Sequence, residues 1–165
     1  MTRLGLLYGL KKFCESKTET LKLPTAVQKG DEEETERAPE VHIMRLPASS
    51  SAKKYAPYIL LQFVNGMDKQ PHGKNSESIS VVRIICCVYN QDEEEGAITL
   101  LNILETLRIA LLKTVVIENK YKLDTDTGLE SFMYLDDTAP YFAGELVGTF
   151  MLAPIEREVK LNGII

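Results

Sequence analysis

Cysteine and histidine are scarce in this chain. Three cysteines, Cys14, Cys86 and Cys87, and two histidines, His42 and His72, stand among 165 residues. An odd and sparse cysteine set argues against a disulfide framework and for a reducing compartment. Neither histidine has a second His or a Cys at ligand spacing, so the sequence patterns of a zinc site are missing. A Gly-rich phosphate loop and the Gly-x-Ser-x-Gly elbow of a serine hydrolase are missing too. No apolar run approaches the roughly 20 residues of a membrane helix. The opening Met1-Thr-Arg-Leu-Gly-Leu-Leu-Tyr lacks a sustained apolar segment and a small-residue cleavage site, so no secretory leader is expected. Positive charge is not in surplus: the formal net charge is -5 and the pI about 5.2. That balance disfavours nucleic-acid binding through counterion release. The expectation from these absences is a protein without metal, cofactor or catalytic constellation.

What is present suffices for a core. Hydrophobic residues make up 44% and charged residues 26%, which excludes wholesale disorder, collagen and coiled coil. For 18.5 kDa, area scaling allows about two-thirds of the unfolded surface to be buried. One domain with an arm is expected: residues 1–54 as a helix and acidic linker carrying one short strand, and residues 55–165 as the main domain.

Thr2 is placed to cap a helix over 3–16, with Leu6, Leu10 and Phe13 recurring at helical spacing. Gly5 and Gly9 each weaken that helix by about 1 kcal/mol, so it needs a docking surface. Pro24, Pro39 and Pro47, the acidic run from Asp31 to Glu36, and Ser49-Ser50-Ser51 mark a linker, with a strand-like island from Val41 to Leu46. The run reads as a solvated stretch. Pro57 to Val64 predicts a strand stopped by a left-handed turn at Asn65-Gly66, followed by a polar loop over 66–77. Ile79 to Tyr89 is apolar on both alternating faces, which predicts cover on both sides. Asn90-Gln-Asp-Glu-Glu-Glu95 then leads into a helix of about 18 residues ending near Lys113. The acids favour its N-terminus and Lys113 its C-terminus. Ala97, Leu100, Leu101, Leu104, Leu107 and Leu111 form its stripe. Ile98, Ile103, Ile109 and Leu112 widen that stripe beyond what one sheet covers, which implies a second cover: the first helix or another subunit. Tyr121 to Leu123, Ser131 to Leu135 and Tyr141 to Leu152 read as further strands. Strands joined without intervening helices predict an α+β fold, a mostly antiparallel β-sheet packed against one long helix and a short N-terminal helix.

Two local patterns read as structure. Asp124-x-Asp126-x-Gly128 resembles the start of a calcium loop, but its glycine comes one position early and Leu135 stands where the bidentate Glu belongs, so a turn is expected. Cys86-Cys87 lies in an apolar strand, with thiols on opposite faces acting as small hydrophobes. Four charges stand out by their company. Arg83 and Glu145 interrupt apolar strands and are too costly to bury unpaired. Glu105 and Arg108 share a face of the wide-striped helix. Two readings stay open: pairing inside the chain or exposure at an edge, or pairing across a subunit boundary. Arg83, Glu105, Arg108 and Glu145 are therefore the candidate subunit-interface residues.

An ordered set of features runs from Tyr55 to Ile155. It begins with Tyr55-Ala-Pro-Tyr58 and Asn65-Gly66, and continues with a strand ending Val88-Tyr89 before an acidic turn with Gly96. The helix Leu100-Leu-Asn-Ile-Leu-Glu-Thr-Leu-Arg108-Ile-Ala-Leu111 follows, and then the strand opening Pro140-Tyr-Phe-Ala-Gly-Glu145. In this order the chain resembles the tail terminator, or tail completion, proteins of long-tailed bacteriophages and prophages. The resemblance implies a structural, non-enzymatic subunit that forms a ring with copies of itself, typically a hexamer, at the head-proximal end of the tail tube. The implied partners are the major tail tube protein and a head-completion or connector protein, with DNA passing through unbound and no membrane. The implied location is the virion tail, assembled in the bacterial cytoplasm. The loop over 66–77 would line the lumen or meet the tube. The alternatives are a neck or head–tail joining subunit and a small α+β enzyme or ligand-binding domain.

Overall fold

A computed structural model describes residues 1–25, 36–47, 55–134 and 138–158. Most of the acidic run (31–35), Ser49-Ser50-Ser51 and Leu135 lie outside the described residues. Helix α1 is Arg3–Thr18, and the Thr2 hydroxyl accepts a hydrogen bond from the Gly5 amide at 2.9 Å. Its Leu6, Leu7, Leu10 and Cys14 are buried. The two glycines meet the docking surface that their weak helix propensity calls for. Gly5 lies under the Tyr121 hydroxyl, and a Cβ on Gly9 would sit 3.2 Å from the Ile117 side chain.

Strands β1 (Leu23–Pro24) and β2 (Glu36–Arg37) form a two-stranded ribbon. The main sheet has seven strands: β3 (Glu40–Ile43), β4 (Tyr58–Lys69), β5 (Glu77–Tyr89), β6 (Val116–Ile117), β7 (Tyr121–Leu123), β8 (Leu129–Met133) and β9 (Tyr141–Leu152). The order is β3-β4-β5-β9-β7-β6, and β8 also pairs with β9. All pairings are antiparallel except β3 with β4. Both helices bury their apolar stripes against one face of this sheet, in a core that joins Leu6, Leu10, Val41, Ile59, Ile84, Leu104, Leu107 and Phe150. The architecture is α+β with a mostly antiparallel sheet.

Residues on both sides of the boundary expected at 54/55 contribute to that one core: Leu6, Leu23 and Val41 from the N-terminal part pack with the strands that follow. The turn expected at Asn65-Gly66 does not form. Strand β4 continues to Lys69, absorbs a bulge between Phe63 and Asn65, and keeps pairing with β5, Gly66 facing Ser80. The connecting loop is only 70–76. Gly66 serves close approach instead: a Cβ there would lie 2.6 Å from the Arg3 guanidinium carbon. Arg3 in turn donates to Asp68 Oδ2 at 3.0 Å and to the Ile79 carbonyl at 3.1 Å, tying the start of α1 to the hairpin.

Helix α2 is Glu93–Thr114, one turn longer than its apolar periodicity predicts. Asp92 caps it, accepting from the Glu95 amide at 3.0 Å, with Glu93, Glu94 and Glu95 in the first turn and Lys113 in the last. The acids therefore act as a helix start. Strand β8 ends at Met133, two residues before the predicted end at Leu135.

Candidate functional site

Among the described residues two outer surfaces are only partly covered, and each carries one of the charged pairs. The first is the sheet face turned away from the helices. Alternation along β5 puts Val82, Ile84, Cys86 and Val88 into the core and Ile79, Val81, Arg83, Ile85, Cys87 and Tyr89 onto this second face. At one end the face is closed by a small cluster in which Ala56, Tyr58, Leu60 and Cys87 pack with Leu46, Tyr55 and Tyr141. Elsewhere the predicted cover is missing. Ile79, Val81, Ile85, Val147 and Met151 are half-buried, and Met67 and Phe132 are exposed. The strand composition reports apolar character on both faces, but nothing in the described chain is left to lie over the second.

At the centre of this open face Arg83 holds three partners. Its Nε donates to Glu145 Oε2, one terminal nitrogen donates to the Tyr134 hydroxyl at 3.0 Å, and the other donates to Gln62 Oε1 at 3.4 Å. Register explains the meeting: Glu145 faces Ile85 across the ladder, so Arg83 is its diagonal neighbour on the same side. Burial alone pushes the Glu145 carboxyl up. Hydrogen bonds from Arg83 and Tyr134, with the Arg83 charge, outweigh it and hold the group below the ordinary carboxylate range. The hydrogen bond to Glu145 holds Arg83 above its ordinary value. Within the single chain Arg83 and Glu145 pair with each other. Tyr134 and Gln62 fall in the predicted strands Ser131 to Leu135 and Pro57 to Val64, but no periodic signal marks them as partners of Arg83.

The second such surface is the outer side of α2. Ile98, Leu101, Ile109 and Leu112 are 54%, 48%, 42% and 42% exposed. Of the residues that widen the stripe, Ile103 is buried in the core, while helix α1 packs beside α2 and leaves Ile98, Ile109 and Leu112 exposed. Among these residues Glu105 and Arg108 form a fork: Arg108 Nε donates to Oε1 at 2.8 Å and a terminal nitrogen donates to Oε2 at 2.6 Å. The hydrogen bond holds Glu105 below and Arg108 above its ordinary value.

The remaining sequence candidates are structural. Asp124 closes its turn by accepting from the Asp126 amide at 3.1 Å, the Thr127 amide at 3.2 Å and the Thr127 hydroxyl at 2.7 Å, with Gly128 at φ 92°. Those bonds, the Thr127 hydroxyl first, hold its carboxyl low. Among the described residues no three His, Cys, Asp or Glu side chains converge as a metal site would require. Cys86 enters the core near Cys14, while Cys87 sits on the other face beside Tyr58. Burial pushes the Cys14 thiol up to about 12 and Cys86 well above its ordinary value, so both stay protonated and inert.

The strand opening Pro140 to Glu145 does its work by packing against α2. The Phe142 ring occupies the space a Cβ on Gly96 would need. A Cβ on Gly144 would lie 2.6 Å from the Phe132 carbonyl oxygen and 2.9 Å from Leu104. Beyond the sheet, the hairpin end is clamped by the tail: Gln70 Nε2 donates to the Ile155 carbonyl at 2.7 Å and Arg157 Nε donates to Gln70 Oε1 at 3.1 Å. No protein-family model matches this chain, and neither does any curated protein.

Proposed function

We propose that this chain is a structural subunit of a phage tail, closing into a ring at the head-proximal end of the tail tube. There it stops tube polymerisation and presents a docking face to the head connector. The supporting observation is the open sheet face: an apolar surface around a fully paired Arg83–Glu145–Tyr134 centre, on a chain whose own helices cover only the opposite side. A ring contact is head-to-tail, so this face meets a different patch of the neighbouring copy. Arg83 and Glu145 keep their mutual pairing and present a neutralised centre to that neighbour, which lowers the cost of desolvating them. The clamped hairpin end around 70–76 projects as the element that reaches the tube. The acidic balance of the chain suits a lumen through which DNA slides, because like charge prevents tight phosphate contacts.

Two measurements test this reading. Light scattering on the purified chain gives a ring mass, and Arg83→Glu or Glu145→Lys shifts it toward monomer. A particle that stays monomeric at high concentration overturns the proposal. Electron microscopy of tails made without the protein separates the two structural roles. Overlong tails identify a terminator; tails of normal length without heads identify a joining subunit.

A further inference from the structure

The outer stripe of α2 has a regularity that a merely solvated face does not need. Ile98, Leu101, Glu105, Arg108 and Leu112 follow one another at spacings of three, four, three and four. That is the a/d seam of a heptad, running along the flank of the helix beside the core-facing Leu100, Leu104, Leu107 and Leu111, with Ile98, Leu101 and Leu112 exposed and Glu105 and Arg108 half-buried. When two such helices pair antiparallel, an a position of one faces a d position of the other. The register that sets Glu105 against Arg108 of a second copy is the same register that sets Leu101 against Leu112 of that copy. By symmetry the reverse contacts form at the same time. A parallel arrangement would instead face Glu105 with Glu105 and Arg108 with Arg108. Charge and apolar surface thus agree on one orientation and one offset, with a copy of the same helix as the complement.

We infer that the outer stripe of α2 is a two-fold self-docking surface, occupied by the same stripe of a second copy running antiparallel. Leu101 and Leu112, 48% and 42% exposed in the single chain, cover each other. The Glu105–Arg108 fork, its side chains 41% and 35% exposed, meets its own inverted image and becomes a square of alternating charges. This contact goes beyond the ring. The ring contact is head-to-tail, whereas this one is isologous, so it pairs two rings through their helix layers, or two single chains where no ring forms. It adds a factor of two to whatever number the ring contact sets, which keeps failure of one contact distinguishable from failure of the other.

Sedimentation equilibrium of the full chain tests the pairing. Glu105→Arg lines up four cations across the two-fold axis and Arg108→Glu lines up four anions, so each variant alone has half the wild-type particle mass. An equimolar mixture of the two variants recovers the full mass, because each supplies the charge the other lacks. The double variant E105R/R108E recovers it too, its seam being complementary to itself again. Leu101→Ser combined with Leu112→Ser halves the mass while leaving the circular-dichroism melt in place. The proposal is overturned if either single charge variant keeps the wild-type mass, or if the mixture stays at half mass. Recovery in the mixture requires folded subunits, so a misfolded variant cannot imitate the expected result.

Discussion

Strand β5 contributes alternate residues to two surfaces that differ in kind. On one side Val82, Ile84, Cys86 and Val88 lie under the helices with at most 1% exposure. On the other, Val81, Arg83 and Ile85 are half-buried and share their surface with Glu145, Tyr134 and Gln62. The residues have nearly the same β propensity, so propensity does not separate the two faces. The difference lies in what the rest of the chain lays over each. The helix-side face is held by burial, and its stability depends on volume and fit. The outer face is held by a paired charge centre with apolar margins, a composition suited to a contact that forms after folding.

The comparison can be broken most sharply in the core. Leu107→Ala, at a fully buried position of α2, should cost about 2–5 kcal/mol by denaturant unfolding. Val81→Ala on the outer face should cost less than about 1 kcal/mol, since it leaves no sealed cavity. Next comes Gly144→Ala, where the new Cβ meets the Phe132 backbone carbonyl and Leu104. A backbone neighbour cannot swing aside, so a loss of about 1–3 kcal/mol is expected. Gly66→Ala should cost less, because its neighbour is the end of the Arg3 side chain.

Removing one charge from the outer face should be milder than a core cavity and asymmetric. Glu145→Gln should lose about 1–3 kcal/mol by leaving Arg83 without its carboxylate. The double variant Arg83→Met/Glu145→Leu should recover most of that loss, a result read as a double-mutant cycle. The same pair has a pH signature. Glu145 sits below its ordinary value of 4.5 in the folded chain. Its contribution is therefore complete above about that pH and is lost as pH falls through the lower folded value. Urea melts over this range should show wild type losing its advantage over Glu145→Gln as acid is added; a constant gap would remove the pair from the account. The smallest effect on folding is expected from Leu101→Ser on the outer side of α2, within about 0.5 kcal/mol.

The sequence makes the helix-side half of this molecule legible. Helical spacing marks Leu6 and Leu10, and Leu100, Leu104, Leu107 and Leu111, because a long amphipathic helix repeats its signal over several turns. The cap at Thr2 and the acidic start of α2 are equally visible, since their chemistry is local, whereas the choice of Asp92 as the cap comes from the structure. The continuation of β4 past Asn65-Gly66 is not visible. Those two residues favour a turn, and pairing with β5 on one side and the Arg3 contact on the other override that preference. The parallel alignment of β3 with β4 joins segments separated by residues of irregular composition, so no local pattern carries it. For the outer surfaces, Arg83, Glu105, Arg108 and Glu145 are conspicuous in the sequence as charges in apolar company. Which charge meets which depended on register for the strand pair and on a three-residue step for the helix pair. Tyr134 and Gln62 emerged only from the assembled sheet.

The bulge between Phe63 and Asn65 has one more consequence. Past Phe63, the outer flank of β4 has no neighbouring strand among the described residues. A straight ribbon with bare amides on one flank is a template on which another chain can add indefinitely. The extra residue bends and twists that stretch out of plane, and the arginine from the first helix stands against it. An irregularity in the ladder thereby makes this edge a poor template for uncontrolled stacking.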